Sequence, residues 1–311
     1  MKIFIITAII FLALFLLFLY GIFFATFAKL PKCLRYRKLI YRSKQFDGVR
    51  GRILQSLEHL DTLPYRPCKT VSFDKTKLFA RLFEGKNTNT VIIQMHGYRG
   101  NSVKDNCGIA HYYMEKGYTL LLPDQRAHDN SSSRCLTFGI KERYDVLCWI
   151  DYIISLYGTD VRIILSGVSM GAATVLMASG LDLPSNVKGI IADCPYSTPE
   201  KIIKKVAKDR GFPVSLTYPL IRLSALIFGG FDIESASPLD AIKKSSLPIL
   251  FIHGNDDRFV PYDMGKELYD SYTGKKKLIT VENAGHAFSY FFDTELYEKE
   301  LDDFTEDILT D

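Results

Sequence analysis

The sequence predicts an α/β protein: a mostly parallel central sheet with helices on both faces, a small helical cap insertion and an N-terminal transmembrane helix. Three observations carry this. Short, largely apolar runs such as 90–95 and 161–168 alternate with amphipathic stretches of helical length, the pattern of a parallel sheet covered on both faces. The interval 195–246 is too long to be a loop and holds helical patterns with Pro213, Pro219 and Pro238. Residues 3–28 contain no charged side chain.

That first run, at ~1.5 Å per residue, spans about 39 Å, more than a ~30 Å hydrocarbon core. It is longer than the apolar region of a signal peptide and lacks a convincing cleavage site, so residues 1–28 read as a membrane anchor. Seven basic residues follow between Lys29 and Lys44. By the distribution of Lys and Arg, they predict a cytoplasmic C-terminal domain.

Residues 29–67 read as a basic linker and short helical lead-in, closed by Pro64 and Pro67. Beyond it, residues 68–311 form the main domain. A hairpin is expected at 70–74 and 77–84, strands at 90–95 and 118–122, and helices at 102–116 and 139–157. The strand at 161–168 runs straight into a helix at 170–179. Further strands are expected at 187–193, 247–253 and 276–281, with a last helix over 287–309. The cap insertion falls at about 195–246, over the C-terminal edge of the sheet, where open α/β sheets place ligands.

Charge narrows the partners. Eight of the 39 basic residues lie in residues 1–45, with no acid there, leaving 31 basic against 35 acidic in the remainder. The globular part is mildly acidic, which points away from nucleic acid. The six cysteines lack CxxC spacing and agree with a reducing compartment. No metal-ligand spacing, G-x-G-x-x-G or P-loop is present, so neither a metal nor a cofactor is expected.

Chemistry enters at Gly167-Val168-Ser169-Met170-Gly171. This is G-x-S-x-G at a strand–helix junction, the context in which a sharp turn exposes a serine hydroxyl. Small neighbours let strand and helix approach, and the Met170 N–H and the helix N-terminus face the same space. A serine nucleophile needs a base. Of the six histidines, His286 lies in a loop beside Gly285, just after the last strand. His96, His128 and His253 read as residues that fix loops. A third group must orient the base. The stretch His253–Pro261 offers Asp256 and Asp257, and Asp193 at another strand end is a further acid.

From about residue 68 to 308, the chain resembles the α/β-hydrolase superfamily, and within it the membrane-anchored Bem46-like or serine aminopeptidase-like hydrolases of bacteria. The resemblance rests on HGYRGN at 96–101, PDQRAH at 123–128, TFGIKERYD at 137–145, GVSMG at 167–171, DCPYS at 193–197, HGNDDRFVP at 253–261 and AGH at 284–286. It implies an α/β-hydrolase fold with Ser169 as nucleophile, Asp257 as acid and His286 as base. It also implies backbone N–H groups of Tyr98 and Met170 as the oxyanion hole. One departure is Asp129, where similar proteins usually carry glycine.

The implied function is a membrane-anchored serine hydrolase, of carboxylesterase type, acting on a small-molecule or lipid-like ester or thioester. The alternatives are a serine peptidase or aminopeptidase, and an inactive membrane-tethered binding protein. The apolar cap residues, Phe212, Leu216, Tyr218, Leu220, Leu223, Leu226, Ile227, Phe228 and Phe231, either line an acyl pocket or pack against the sheet.

Overall fold

The structure, a computed structural model, describes residues 1–31, 48–86 and 89–310. Most of the basic run after Lys29, and Cys33, lie outside the described residues. Eight strands form one sheet: β1 (Arg66–Val71), β2 (Lys77–Phe83), β3 (Thr90–Met95), β4 (Thr119–Asp124), β5 (Arg162–Val168), β6 (Val187–Asp193), β7 (Ile249–Gly254) and β8 (Lys276–Val281). Their order is β1-β2-β4-β3-β5-β6-β7-β8. Only β2 runs against its neighbours; from β4 to β8 all pairings are parallel. This is the α/β-hydrolase fold with its mostly parallel sheet.

The helices are α1 (Lys2–Thr26), α2 (Arg50–Thr62), α3 (Cys107–Glu115), α4 (Glu142–Tyr157), α5 (Met170–Ala178), α6 (Pro199–Asp209), α7 (Val214–Ser224), α8 (Pro238–Ile242), α9 (Tyr262–Ser271), α10 (Ser289–Phe292) and α11 (Thr294–Leu309). Trp149, Ile150 and Ile153 of α4 and Val175 and Leu176 of α5 cover one face of the sheet. Ile53 of α2, Tyr112 and Tyr113 of α3 and Leu301 and Phe304 of α11 cover the other. Strands β3, β4 and β7 are buried along their whole length, which is why they read as continuous apolar runs.

Several boundaries differ from the sequence expectation. The strand expected to stop at Pro123 continues through it, pairing Pro123 with Ala80 of β2. Pairing with β3 ends at Leu121, so the missing N–H of Pro123 interrupts no ladder on that side. The helix expected from residue 102 starts at Cys107, because the Asn101 side chain accepts from the N–H groups of Val103 and Lys104 and turns the chain first. The last helix is two: Asp293 accepts from the Leu296 N–H at 3.0 Å and caps α11 afresh.

Helix α1 has mean hydropathy 3.0 over its most apolar window and is long and apolar enough to cross a membrane. Residues 3–18 are exposed and, Thr7 apart, apolar or small, whereas Leu19, Phe23 and Phe27 are buried against the globular domain. Phe23 and Phe27 join a third apolar cluster with Phe138, Met170, Tyr196, Tyr218, Ile221 and Phe231. Past the helix, the Leu136 N–H donates to the Phe27 carbonyl and the Lys29 ammonium donates to the carbonyls of Asp129 and Ser131. The C-terminal end of α1 and the start of the expected linker are thus sewn onto the domain.

Candidate active site

The parallel strands deliver their C-terminal ends to one edge of the sheet. Tyr98 follows β3, Ser169 follows β5, Asp193 ends β6, Asp257 follows β7 and His286 follows β8. Each lies within a few residues of a strand end, so a rigid sheet fixes their spacing.

Ser169 sits at φ 56°, ψ −118°, a strained conformation for a residue with a side chain. Two glycines make the turn feasible. A Cβ on Gly167 would meet the backbone of Gly171 and Ala172, and one on Gly171 would meet the carbonyls of Met95 and His96. The turn is held by the Ser169 N–H donating to the Asp193 carbonyl at 2.8 Å, and it aims the hydroxyl away from the sheet toward His286.

The structure brings Ser169, His286 and Asp257 into one line. His286 Nε2 lies 2.8 Å from Ser169 Oγ, and His286 Nδ1 lies 2.7 Å from Asp257 Oδ2. The other Asp257 oxygen accepts the N–H groups of Phe259 and Val260, each at 2.9 Å. Burial opposes ionisation of Asp257, but the charge and hydrogen bond of His286 and the hydrogen bond of His253 outweigh it and hold the carboxyl well below the usual range. An ionised carboxylate only accepts, so the proton sits on Nδ1 and Nε2 is left to accept from the serine hydroxyl. The Phe259 ring lies 5.0 Å from the His286 ring and walls its outer side.

Neither of the two other carboxylates is the hydrogen-bond partner of His286 Nδ1. Asp256 is exposed and pairs with Arg258 at 3.0 Å. Asp193 is buried, accepting from Tyr297 at 3.0 Å and Ser289 at 3.4 Å, and burial raises its pKa to about 6. Cys194 Sγ, an Asp257 oxygen and a His286 nitrogen lie within 4.8 Å of one another, a possible metal-donor group. Asp257 and His286 are already committed to each other, and burial raises the Cys194 thiol well above its ordinary range, which opposes thiolate ligation.

Met170 opens α5, so its N–H is a first-turn donor with no intrahelical acceptor. The Tyr98 turn runs beside the serine: a Cβ on Gly97 would stand 3.5 Å from that of Ser169. This turn is fixed on both sides of Tyr98. The Gly97 N–H donates to Asp105 Oδ2 at 2.9 Å and the Arg99 N–H donates to His128 Nε2 at 3.1 Å. His96 Nε2 accepts from the Gln125 N–H at 3.0 Å while Nδ1 lies 2.8 Å from the Gly97 carbonyl, so His96 and His128 both brace loops. His253 donates to the Val260 carbonyl at 2.9 Å and holds the Asp257 loop.

Sequence reasoning missed two supports. Asp105 fills the space a Cβ on Gly100 would take, so its carboxylate and the two glycines of HGYRG form one unit. Arg126 is buried and forks onto Asp145 at 2.8 and 2.6 Å, with a third bond to Asp74 at 2.8 Å. The signals were present in PDQRAH and KERYD, which pair across the fold. The departure at Asp129 has a backbone counterpart: its φ of 29° lies where glycine is favoured.

Comparisons with known proteins agree with this architecture. Residues 90–215 match the α/β hydrolase fold family, and residues 203–288 match the serine hydrolase (FSH1) family. The chain is 29% identical over 225 residues to protein YqkD of Bacillus subtilis, covering 71% of this chain and 72% of that one. It is 26% identical over 193 residues to the lysophosphatidylserine lipase ABHD12 of Xenopus tropicalis, covering 58% of this chain and 46% of that longer protein. Among solved structures, the Pyrococcus furiosus esterase Pf2001 superposes with a TM-score of 0.65 at 19% identity, over 81% of this chain and 93% of that one.

Proposed function

This chain belongs to the α/β-hydrolase superfamily, and from that premise we propose that it is a membrane-anchored serine hydrolase of carboxylesterase type, cleaving an ester or thioester through an acyl-serine intermediate. The observation that carries the reading is the unbroken hydrogen-bonded line from Asp257 through His286 to the strained Ser169.

In this mechanism Ser169 Oγ attacks the carbonyl carbon while His286 Nε2 takes its proton. Asp257 keeps the imidazole in the required tautomer and offsets the positive charge it gains. The N–H groups of Met170 and Tyr98 hold the oxyanion. The carbon–oxygen or carbon–sulfur bond of the substrate then breaks, and the leaving group departs with the proton from His286. Water, deprotonated by His286, attacks the acyl-serine and releases the carboxylic acid, restoring Ser169.

The anchor brings the site to a bilayer, with the basic run after α1 favouring the cytoplasmic side. A lipase among the relatives, acting on lysophosphatidylserine by its name, fits an amphiphilic acyl substrate. The test is turnover of p-nitrophenyl acetate, butyrate and octanoate by the full-length protein in detergent. Turnover that rises with acyl length and is lost in Ser169→Ala supports the reading. Cleavage of aminoacyl amides in preference to esters would move it to a peptidase.

A further inference from the structure

The helix α7 continues through a wide π turn at Ala225–Gly229 and stops at Gly230, whose φ is 64°. Tyr218, Ile221 and Ala225 point inward and are buried in the cluster that contains Met170. The opposite face is apolar as well. Leu216, Pro219, Leu223, Leu226 and Ile227 recur at helical spacing, with Phe212 just ahead of the helix, and all six are exposed. They are not packed against the sheet, and they face outward rather than toward the buried cluster. Arg222, the charged residue of this helix, is drawn aside into ion pairs with Asp232, at 2.7 Å, and Glu234.

A surface helix of a soluble protein carries polar residues outward; one apolar all round belongs in a core or a membrane. What covers this stripe is indicated by its neighbour. Phe228 at the end of the π turn lies 5.3 Å from the Tyr20 ring and 5.9 Å from the Phe23 ring of α1. Residues 3–18 of α1 are exposed and, Thr7 apart, apolar or small, and they belong to a 25-residue helix long and apolar enough to cross a membrane. Through Phe228 the outward stripe adjoins a helix long and apolar enough to cross a membrane.

We infer that the outer face of the 214–229 helix is a membrane-docking surface, seated in the headgroup and acyl boundary of the bilayer that α1 enters. The same helix forms part of the apolar wall beyond Met170. Its docking thus presents the Ser169 site to amphiphilic acyl chains leaving the bilayer; this second consequence rests on the hydrolase reading, whereas the docking itself does not.

The experiment uses the full-length protein in vesicles of phosphatidylcholine and phosphatidylglycerol. Tryptophan reporters are placed at Leu216→Trp and Leu223→Trp, with Asp160→Trp, exposed at the opposite edge of the sheet, as control. The single native tryptophan, Trp149, is buried and gives a constant background. Phosphatidylcholine brominated near the carbonyl end of its chains quenches the two stripe reporters about twofold, as expected for an interfacial helix set ~5–10 Å into the boundary, and leaves Asp160→Trp unaffected. Stripe reporters quenched by aqueous iodide but not by bromolipid overturn the inference. So do reporters shielded from both, which would mean that protein covers the stripe.

A second arm reads function. The triple variant Leu216→Ser, Leu223→Ser, Ile227→Ser lowers turnover of a vesicle-borne long-chain ester about tenfold, while a water-soluble acetate ester changes less than about twofold. Equal losses on both substrates overturn the delivery consequence. Covalent labelling of Ser169 by a fluorophosphonate, run on the same vesicles, separates this failure from failure of the hydrolase reading itself.

Discussion

The Tyr98 hydroxyl donates a 2.8 Å hydrogen bond to the carbonyl of Thr26, the last residue of the apolar helix α1. Arg99, the next residue, donates to the carbonyls of Phe24 and Ala25. These carbonyls belong to the last turn of α1, where intrahelical donors run out. The turn that borders Ser169 is thereby tied to the C-terminal end of α1. Tyr98→Phe keeps the ring stacked on Phe138 and keeps the backbone N–H, but strands the Thr26 carbonyl. We expect a loss of about 1–2 kcal/mol in stability. A severalfold slower acylation at unchanged KM is the further outcome, read by thermal unfolding and pre-steady-state ester turnover.

Asp257→Asn tests the orientation of His286. An amide offers its NH2 group to Nδ1 as readily as its oxygen, so the imidazole no longer holds one tautomer. The expected loss is on the order of 10³–10⁴ in kcat, with the melting temperature changed far less. Steady-state kinetics with circular dichroism on the same sample distinguishes this from misfolding.

Asp193 makes a pH-dependent prediction. Burial raises its pKa from the usual 3.8 to about 6, ahead of the opposing influence of His253, Tyr297 and His286. Below about pH 4 the group is protonated in both folded and unfolded chains and costs nothing. Between about pH 4 and 6 the unfolded chain gives up its proton while the folded one retains it, so stability falls as pH rises. Above about pH 6 the full penalty, at most about 3 kcal/mol, is present. Asp193→Asn should therefore gain stability relative to wild type on going from pH 4 to pH 7. A difference in melting temperature that is flat or shrinks over that range counts against this.

Arg126 and Asp145 form a buried forked pair beneath the loop after β4. Arg126→Met leaves the Asp145 carboxylate buried without its partner and should lower stability by about 3–5 kcal/mol. Adding Asp145→Leu should restore much of it, since the cost arises from the stranded charge. Denaturant unfolding of both variants checks the pair.

How much was legible follows from what each signal encodes. Strands β3, β6 and β8 match the sequence ranges residue for residue, because their apolar runs are bounded by turn-forming residues. The Ser169 turn was legible because Gly167 and Gly171 are required by close backbone approach. The break at Asp293 was not, since the capping aspartate sits inside an otherwise helical stretch. The engagement of α1 was hidden for a different reason. Leu19, Phe23 and Phe27 recur at four-residue spacing, but in a helix that is apolar throughout, a face that meets protein carries the same letters as one that meets lipid. The choice between Asp256 and Asp257 depends on loop geometry, in which the Phe259 and Val260 N–H groups bind one of the two carboxylates.

Every step of the proposed hydrolysis depends on Ser169 being an activated nucleophile. Membranes carrying the full-length protein, exposed to a fluorophosphonate probe beside membranes carrying Ser169→Ala, test it most directly. Covalent labelling of the wild type and none of the variant is the expected result. Equal labelling of both, or none of a folded wild type that also turns over no ester, would contradict it.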